Sequence, residues 1–351
     1  MKNRMKLIFA AITSSLLAGC SGAYDEDLDA SPVDREDLTS PQGTGLQGTG
    51  LQGEALKGIT LQSFANVHGP ISNVSLAGTS FSGTDSTGKL ISGKAFIGST
   101  VAGVRPDGST IKVRIESIQT SAADTELELY SLAWFDGSAW TTFCGESNGV
   151  PITAIPLEGR WRYESNDPAG GDHVDDPTMF TFACQSGVLA KCVNFGYKPW
   201  GSVTECNGGV CQTLPRRYFH QACTRMARAD YCGRGTPHTA NGTLINVYDQ
   251  FGIQADESDL PLEAEWTSEG AKCVKHVRWT TGGQSVADAA MADILANCPE
   301  TQSTSAKATC GTSYSTYTTT WGFANPIAQR ALIRNESSSP PTGDGTEDGN
   351  D

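Results

Sequence analysis

Several residues of this 351-residue chain are spaced so that they could do chemistry. His220 precedes Cys223 by three positions, which on a helix puts a general base and a thiol nucleophile on one face. Glu263 and Glu265 stand two apart in Leu262-Glu-Ala-Glu-Trp, so on a strand they share a face. A carboxylate pair of that kind could serve glycoside hydrolysis, which needs a separation of roughly 5–9.5 Å. Asp172, His173, Asp175 and Asp176 offer oxygen and imidazole donors to a divalent cation. Asp230 has Arg225, Arg228 and Arg234 within five residues. Trp161, Tyr197 and Trp200 could line a carbohydrate platform.

Each group also has a plainer reading. Cys223 falls with Phe219 and Met226 on an apolar face, where a cysteine packs or forms half of a disulfide. Glu263 and Glu265 can face solvent while Leu262 and Ala264 turn inward. Asp230 can anchor a helix end through a buried salt bridge. The aspartates around His173, between Gly170-Gly171 and Pro177, can be a polar loop. No Gly-x-Ser-x-Gly, His-Glu-x-x-His or phosphate loop is present, and no cofactor is implied. The candidate catalytic residues are therefore His220, Asp230, Glu263 and Glu265, and the candidate metal ligands Asp172, His173, Asp175 and Asp176.

The elements that must position these residues are set by cysteine. Cys144, Cys184, Cys192, Cys206, Cys211, Cys223, Cys232, Cys273, Cys298 and Cys310 all follow residue 140, with no C-x-x-C among them. An even set of this kind in an exported chain reads as up to five disulfides. Pro215 to Tyr231 is the best helix, with proline near its start and Cys232-Gly233 at its end. Phe219, Ala222, Cys223, Met226, Ala229 and Asp230 would form its buried face. Arg216, Arg217, Gln221, Thr224, Arg225 and Arg228 would form the other. On such a helix Cys223 and Cys232 lie ~13.5 Å apart along the axis. A disulfide tolerates a Cα separation of only ~7 Å, so these two cannot bond each other. Cys184 and Cys192 are their expected partners. Cys206 and Cys211 close a small loop, and Cys298 with Cys310 is a further local pairing. A second helix runs from Ser285 to Asn297.

Strand patterns dominate elsewhere. Residues 101–165 read as an antiparallel β unit: Val101–Val104 and Thr110–Ile118 flank the turn Arg105-Pro-Asp-Gly-Ser, and Glu126–Phe135 faces Ala139–Phe143. Phe180–Cys184, Leu244–Tyr248 and Leu262–Trp266 are further strands. Residues 43–100 carry apolar side chains every five residues, at Leu46, Leu51, Leu56, Leu61, Ile71, Leu76, Phe81, Ile91 and Phe96, and on to Val101. This resembles the pentapeptide-repeat proteins, a four-sided β-helix, although Glu54, Lys89 and Lys94 stand where that fold places small residues. A β-solenoid, ordinary strands and a flexible stalk are the alternatives. Residues 20–42 read as an acidic tether and 336–351 as an acidic tail, both disordered.

The amino terminus reads as an export signal. Lys2, Arg4 and Lys6 precede an apolar run, Leu7–Ala18, that as a helix reaches ~18 Å, short of the ~30 Å hydrocarbon core. Leu17-Ala-Gly-Cys20 resembles the lipobox of bacterial lipoproteins, which implies cleavage after residue 19 and acylation of Cys20. Loss of those three cations takes the net charge from -14 to -17. Such acidity argues against nucleic-acid binding and against electrostatic adhesion to anionic lipid.

His220-Gln-Ala-Cys-Thr-Arg-Met-Ala-Arg-Ala-Asp-Tyr-Cys-Gly resembles the ADYC-domain family, named for the residues here at Ala229, Asp230, Tyr231 and Cys232. Gly159-Arg-Trp-Arg-Tyr, Gly196-Tyr-Lys-Pro-Trp, Leu244-Ile-Asn-Val-Tyr-Asp and Glu263-Ala-Glu-Trp are similar too, over roughly residues 43–312. The resemblance implies a secreted or lipid-anchored protein of myxobacterial type and carries across no catalytic residue. The expected fold is α+β, mostly β: the short repeat region, then the antiparallel unit of 101–165 and a cysteine-rich domain over 166–335 with one or two helices. The expected role is a binding or structural module held to the cell envelope through Cys20, with an envelope protein or polysaccharide as partner. Ser21 after the cysteine points to the outer membrane. The alternative is a secreted hydrolase of glycan or peptide polymers.

Overall fold

The computed structural model describes residues 56–135, 137–163, 167–207, 209–239, 243–278, 283–298, 310 and 327–338. The export signal, Cys20, the tether, the first repeats and nearly all of the acidic tail lie outside the described residues. Six strands close a barrel: β1 (Gly58–Thr60), β2 (Thr100–Val104), β3 (Thr110–Thr120), β4 (Glu128–Phe135), β5 (Ala154–Glu158) and β6 (Met179–Cys184). Strands β2 to β6 pair with their sequence neighbours. β1 closes the ring against both β6 and β2, and every pair is antiparallel. In β3 the period-two pattern buries Ile111, Val113 and Ile115. A bulge between Ile115 and Ser117 then resets the alternation so that Ile118 is buried in turn.

The five-residue period is realised as burial and not as a coil. Leu56, Leu61, Ile71, Phe81, Phe96 and Val101 are core residues of the barrel, with Leu76 and Ile91 packed against them. The chain between β1 and β2 does not stack into a β-helix. It folds as short strands, among them an antiparallel sheet of Ser72–Ala77, Ser80–Thr84 and Leu90–Ser92. The reason lies at Lys89 and Lys94, which a β-helix would turn inward and which here stay exposed. Phe81 of that small sheet packs on Phe64 and Phe180 (both 5.0 Å between centroids), joining the sheet to the barrel's core.

The second core is built on helices. α1 (Val188–Asn194), which no sequence pattern announces, packs on α2 (Arg217–Arg228). After α1 comes the hairpin β7 (Ser202–Asn207) and β8 (Val210–Pro215). A four-stranded antiparallel sheet follows, with β9 (Ile245–Tyr248), β10 (Leu262–Thr267), β11 (Gly270–Val274) and β12 (Ile333–Ser337) in the order β9-β12-β10-β11. The carboxy-terminal strand is thus inserted in the middle, and Glu336 and Ser337, which the sequence places in the acidic tail, belong to it. α3 spans Gln284–Asn297.

Five disulfides are present. Cys192–Cys223 ties α1 to α2, Cys192 being one of the two partners expected for the α2 cysteines, and Cys206–Cys211 closes the β7–β8 hairpin as its spacing leads one to expect. Cys223 and Cys232 do not pair. Two expectations are corrected. Cys184 bonds Cys144, because β6 runs along β5, to which Cys144 leads. Cys298 bonds Cys232 while Cys310 bonds Cys273, because α3 carries Cys298 back to the end of α2.

Candidate functional site

Of the candidate catalytic residues, the motif that ends α2 holds Asp230 and, through Tyr231, reaches Glu263. Ala229 takes the left-handed conformation (φ 51°, ψ 41°) that stops the helix, and the amides of Ala229 and Asp230 donate back to the carbonyls of Met226 and Arg225. Asp230 is buried. Its carboxylate accepts Arg225 Nη1 at 2.5 Å and the amides of Arg234 and Gly235 at 2.9 and 2.8 Å. Arg225 also donates to Asp172 and to the carbonyl of Gly170 at 2.6 Å. Arg228 donates to the carbonyl of Gly235 at 2.7 Å. The expected solvent face of α2 is therefore wrong. Thr224, Arg225 and Arg228 are buried: the 167–172 and 234–235 loops supply acceptors to the two arginines, and the Thr224 hydroxyl donates to the Gln221 carbonyl within the helix.

Tyr231 turns to the other side. Its ring stacks on Trp266 at 5.2 Å, and its hydroxyl donates to Glu263 at 3.0 Å. Burial and the Glu263 carboxylate push that hydroxyl well above the ordinary phenol range. Glu263, with no exposed surface, receives Arg278 Nε on Oε2 at 2.9 Å and Nη2 on Oε1 at 2.9 Å, and Asn335 Nδ2 at 2.8 Å. Arg278 reaches on to the carbonyl of Met226 in α2 at 2.8 Å, and Asn335 accepts Trp266 Nε1 at 2.6 Å. Cys232 then bonds Cys298. The four residues of the Ala-Asp-Tyr-Cys run thus act in turn as helix stop, ionic brace, aromatic bridge and covalent staple. The next residue, Gly233 (φ 64°), lies so close to β10–β11 that an added Cβ would sit 1.7 Å from the Glu269 carbonyl oxygen.

Glu263 and Glu265 do not face solvent as expected, and they do not act as a pair. Glu265 is ion-paired with Arg334, while Glu263 binds Asn335. Arg334 and Asn335 are adjacent on β12, where consecutive side chains point to opposite faces, so the two glutamates are drawn to opposite faces. Register shifts on β10, between Leu262 and Ala264 and between Glu265 and Trp266, break the simple alternation. His220 is buried, with Nε2 donating to the Leu189 carbonyl at 2.9 Å, and its neighbour Cys223 is spent in a disulfide. Burial holds the His220 imidazole down at about 4. A His/Cys nucleophile pair does not form.

The acidic loop is likewise divided among partners. Asp172 binds Arg225, His173 Nδ1 lies 3.6 Å from Asp175, and Asp176 binds Thr178 and stands 3.6 Å from Arg160. Among the described residues no group of three or more His, Cys, Asp or Glu is placed to hold a metal ion. Trp161 and Tyr197 are core residues that donate to Gln221 and Asp249; only Trp200 of the three is partly exposed. Arg278, Arg334 and Asn335 complete the ionic cluster and carry no local sequence signal, since they lie 15, 69 and 72 residues from their carboxylates.

A disulfide-stapled, mostly β protein, closed at a helix end by a buried ionic clasp, is the class these features define. The ADYC domain model matches residues 93–280, more than half of the chain, and the chain belongs to that family. The match takes in the barrel from β2 onwards, the clasp motif, Glu263 and Arg278, and ends before β12. No curated protein and no solved structure matches the chain.

Proposed function

We propose that this chain is a lipid-anchored protein of the bacterial cell envelope whose folded part is a binding or structural module and not a hydrolase. One observation carries the second half of that reading: Asp230, Glu263, Glu265 and His220 are all buried and committed to internal partners. A general acid or nucleophile must reach a substrate atom within hydrogen-bond distance. The anchor rests on Leu17-Ala-Gly-Cys20 and the basic, apolar stretch before it. Ser21 favours the outer membrane, and an envelope protein or polysaccharide is the partner class that suits an acidic, disulfide-stapled domain outside the cytoplasm. Among the described residues no helix is long and apolar enough to cross a membrane. In this reading the acyl chains on Cys20 hold the protein to the membrane.

Two measurements test this. Mass spectrometry of the amino-terminal peptide should find a diacyl or triacyl Cys20, and Cys20→Ala should move the protein from the membrane to the soluble fraction. An unmodified Cys20, or a variant that stays in the membrane, refutes the anchor. Turnover of glycan or peptide polymers by the purified chain, abolished in a folded Glu263→Gln variant, would replace the module by the hydrolase.

A further inference from the structure

One disulfide differs in kind from the other four. Cys206 and Cys211 are both solvent-exposed, whereas each of the remaining bonds has at least one cysteine buried to 4 % exposure or less. They also sit directly opposite each other in the β7–β8 ladder, with Cα atoms 4.0 Å apart. Other contacts also hold the hairpin. In the next rung Gln212 donates to Glu205 at 2.8 Å, Glu205 is ion-paired with Arg330 at 2.6 Å, and Leu214 further along is buried in the second core.

From this exposure, register and independent anchoring we infer that Cys206–Cys211 is a thiol–disulfide exchange site, reduced by an external thiol while the rest of the protein stays folded. The thiolate attacks Sγ of one cysteine, the S–S bond breaks, and the other Sγ leaves as a thiolate and takes up a proton. A second thiol attacks the mixed disulfide, giving two cysteine thiols and one oxidised thiol pair. Two electrons pass from the external thiols to the protein, and oxidised thiol reverses the step. The hairpin tip, where Val210 is 61 % exposed, is thereby released or clamped without disturbing either core.

The experiment is graded reduction of the native full chain in glutathione buffers, with iodoacetamide trapping and peptide mapping. Cys206 and Cys211 should be alkylated about tenfold or more faster than the other eight disulfide cysteines. The far-UV circular dichroism should not change, and oxidised glutathione should restore the bond. Simultaneous opening of a buried disulfide, resistance of Cys206–Cys211 until the protein unfolds, or failure to re-form would overturn the proposal. The Cys206→Ser/Cys211→Ser variant should keep the folded spectrum and show no early alkylation; a variant that unfolds would show that the bond is structural.

Discussion

At the scale of the residue, chemistry-bearing side chains are easy to find in this sequence and hard to interpret. A strand places Glu263 and Glu265 on one side, yet each is pulled towards a different arginine. Burying a carboxylate and then removing its charge leaves the partner guanidinium unpaired, at a cost of about 3–5 kcal/mol. Glu263→Gln is therefore expected to lower the stability in urea unfolding by that amount, and Arg278→Met by a similar one. The double variant should recover part of the loss; full additivity would mean that the two side chains are not coupled. His220 gives a pH signature. Burial depresses its folded value to about 4, below the ordinary 6.5, so the unfolded chain binds the proton first. Stability is whole above pH 6.5 and falls as pH drops through about 4, by up to ~3 kcal/mol. His276, also lowered by burial, acts in the same direction. Unfolding midpoints at pH 7 and 4.5 should converge in His220→Gln, and an unchanged slope would assign the acid sensitivity to other groups. Ala229 holds a conformation in which glycine has no Cβ penalty, so Ala229→Gly should raise the melting temperature, a gain of roughly 1 kcal/mol.

At the scale of the element, periodicity located α2, α3 and the strands β2, β3, β4, β6, β9 and β10, since each has a clear apolar repeat or turn. It missed α1, whose seven residues are buried nearly all round and so show no amphipathic stripe. It misread the solvent side of α2 for the converse reason: arginines look exposed until loops distant in sequence supply their acceptors. Cysteine spacing decided the local Cys206–Cys211 bond and excluded Cys223–Cys232, but the bonds over longer separations depend on where α3 and β12 return. Cys232–Cys298, separated by 66 residues, closes a long loop, and its removal by Cys232→Ser/Cys298→Ser should cost about 4 kcal/mol in equilibrium unfolding. Deletion of residues 327–351 removes the strand in the middle of the second sheet together with Arg334, which pairs with Glu265, and Asn335, one of the partners of Glu263. Such a chain should be recovered only as an unfolded or aggregated species; a soluble product with native disulfides would show that β12 is dispensable.

At the scale of the whole molecule, this chain combines a six-stranded barrel with a helix-and-sheet core, and the four residues Ala229 to Cys232 hold the end of α2 to the second sheet and to α3. The chain by itself determined the mostly antiparallel β character, the cysteine-stapled second half, the family and the lipobox-like cysteine, because these depend on local alternation, counts and short motifs. The five-residue period also predicted which side chains are buried, though not the shape that buries them. Only the tertiary structure decided that β1 closes a barrel, that the last strand enters the middle of a sheet, and that the four candidate catalytic residues are internal braces. The physical reason is common to all three. A buried charge or an unpaired strand edge must be matched by a partner, and the partner is chosen by proximity in space, which for Glu263 and Asn335 spans 72 residues of sequence.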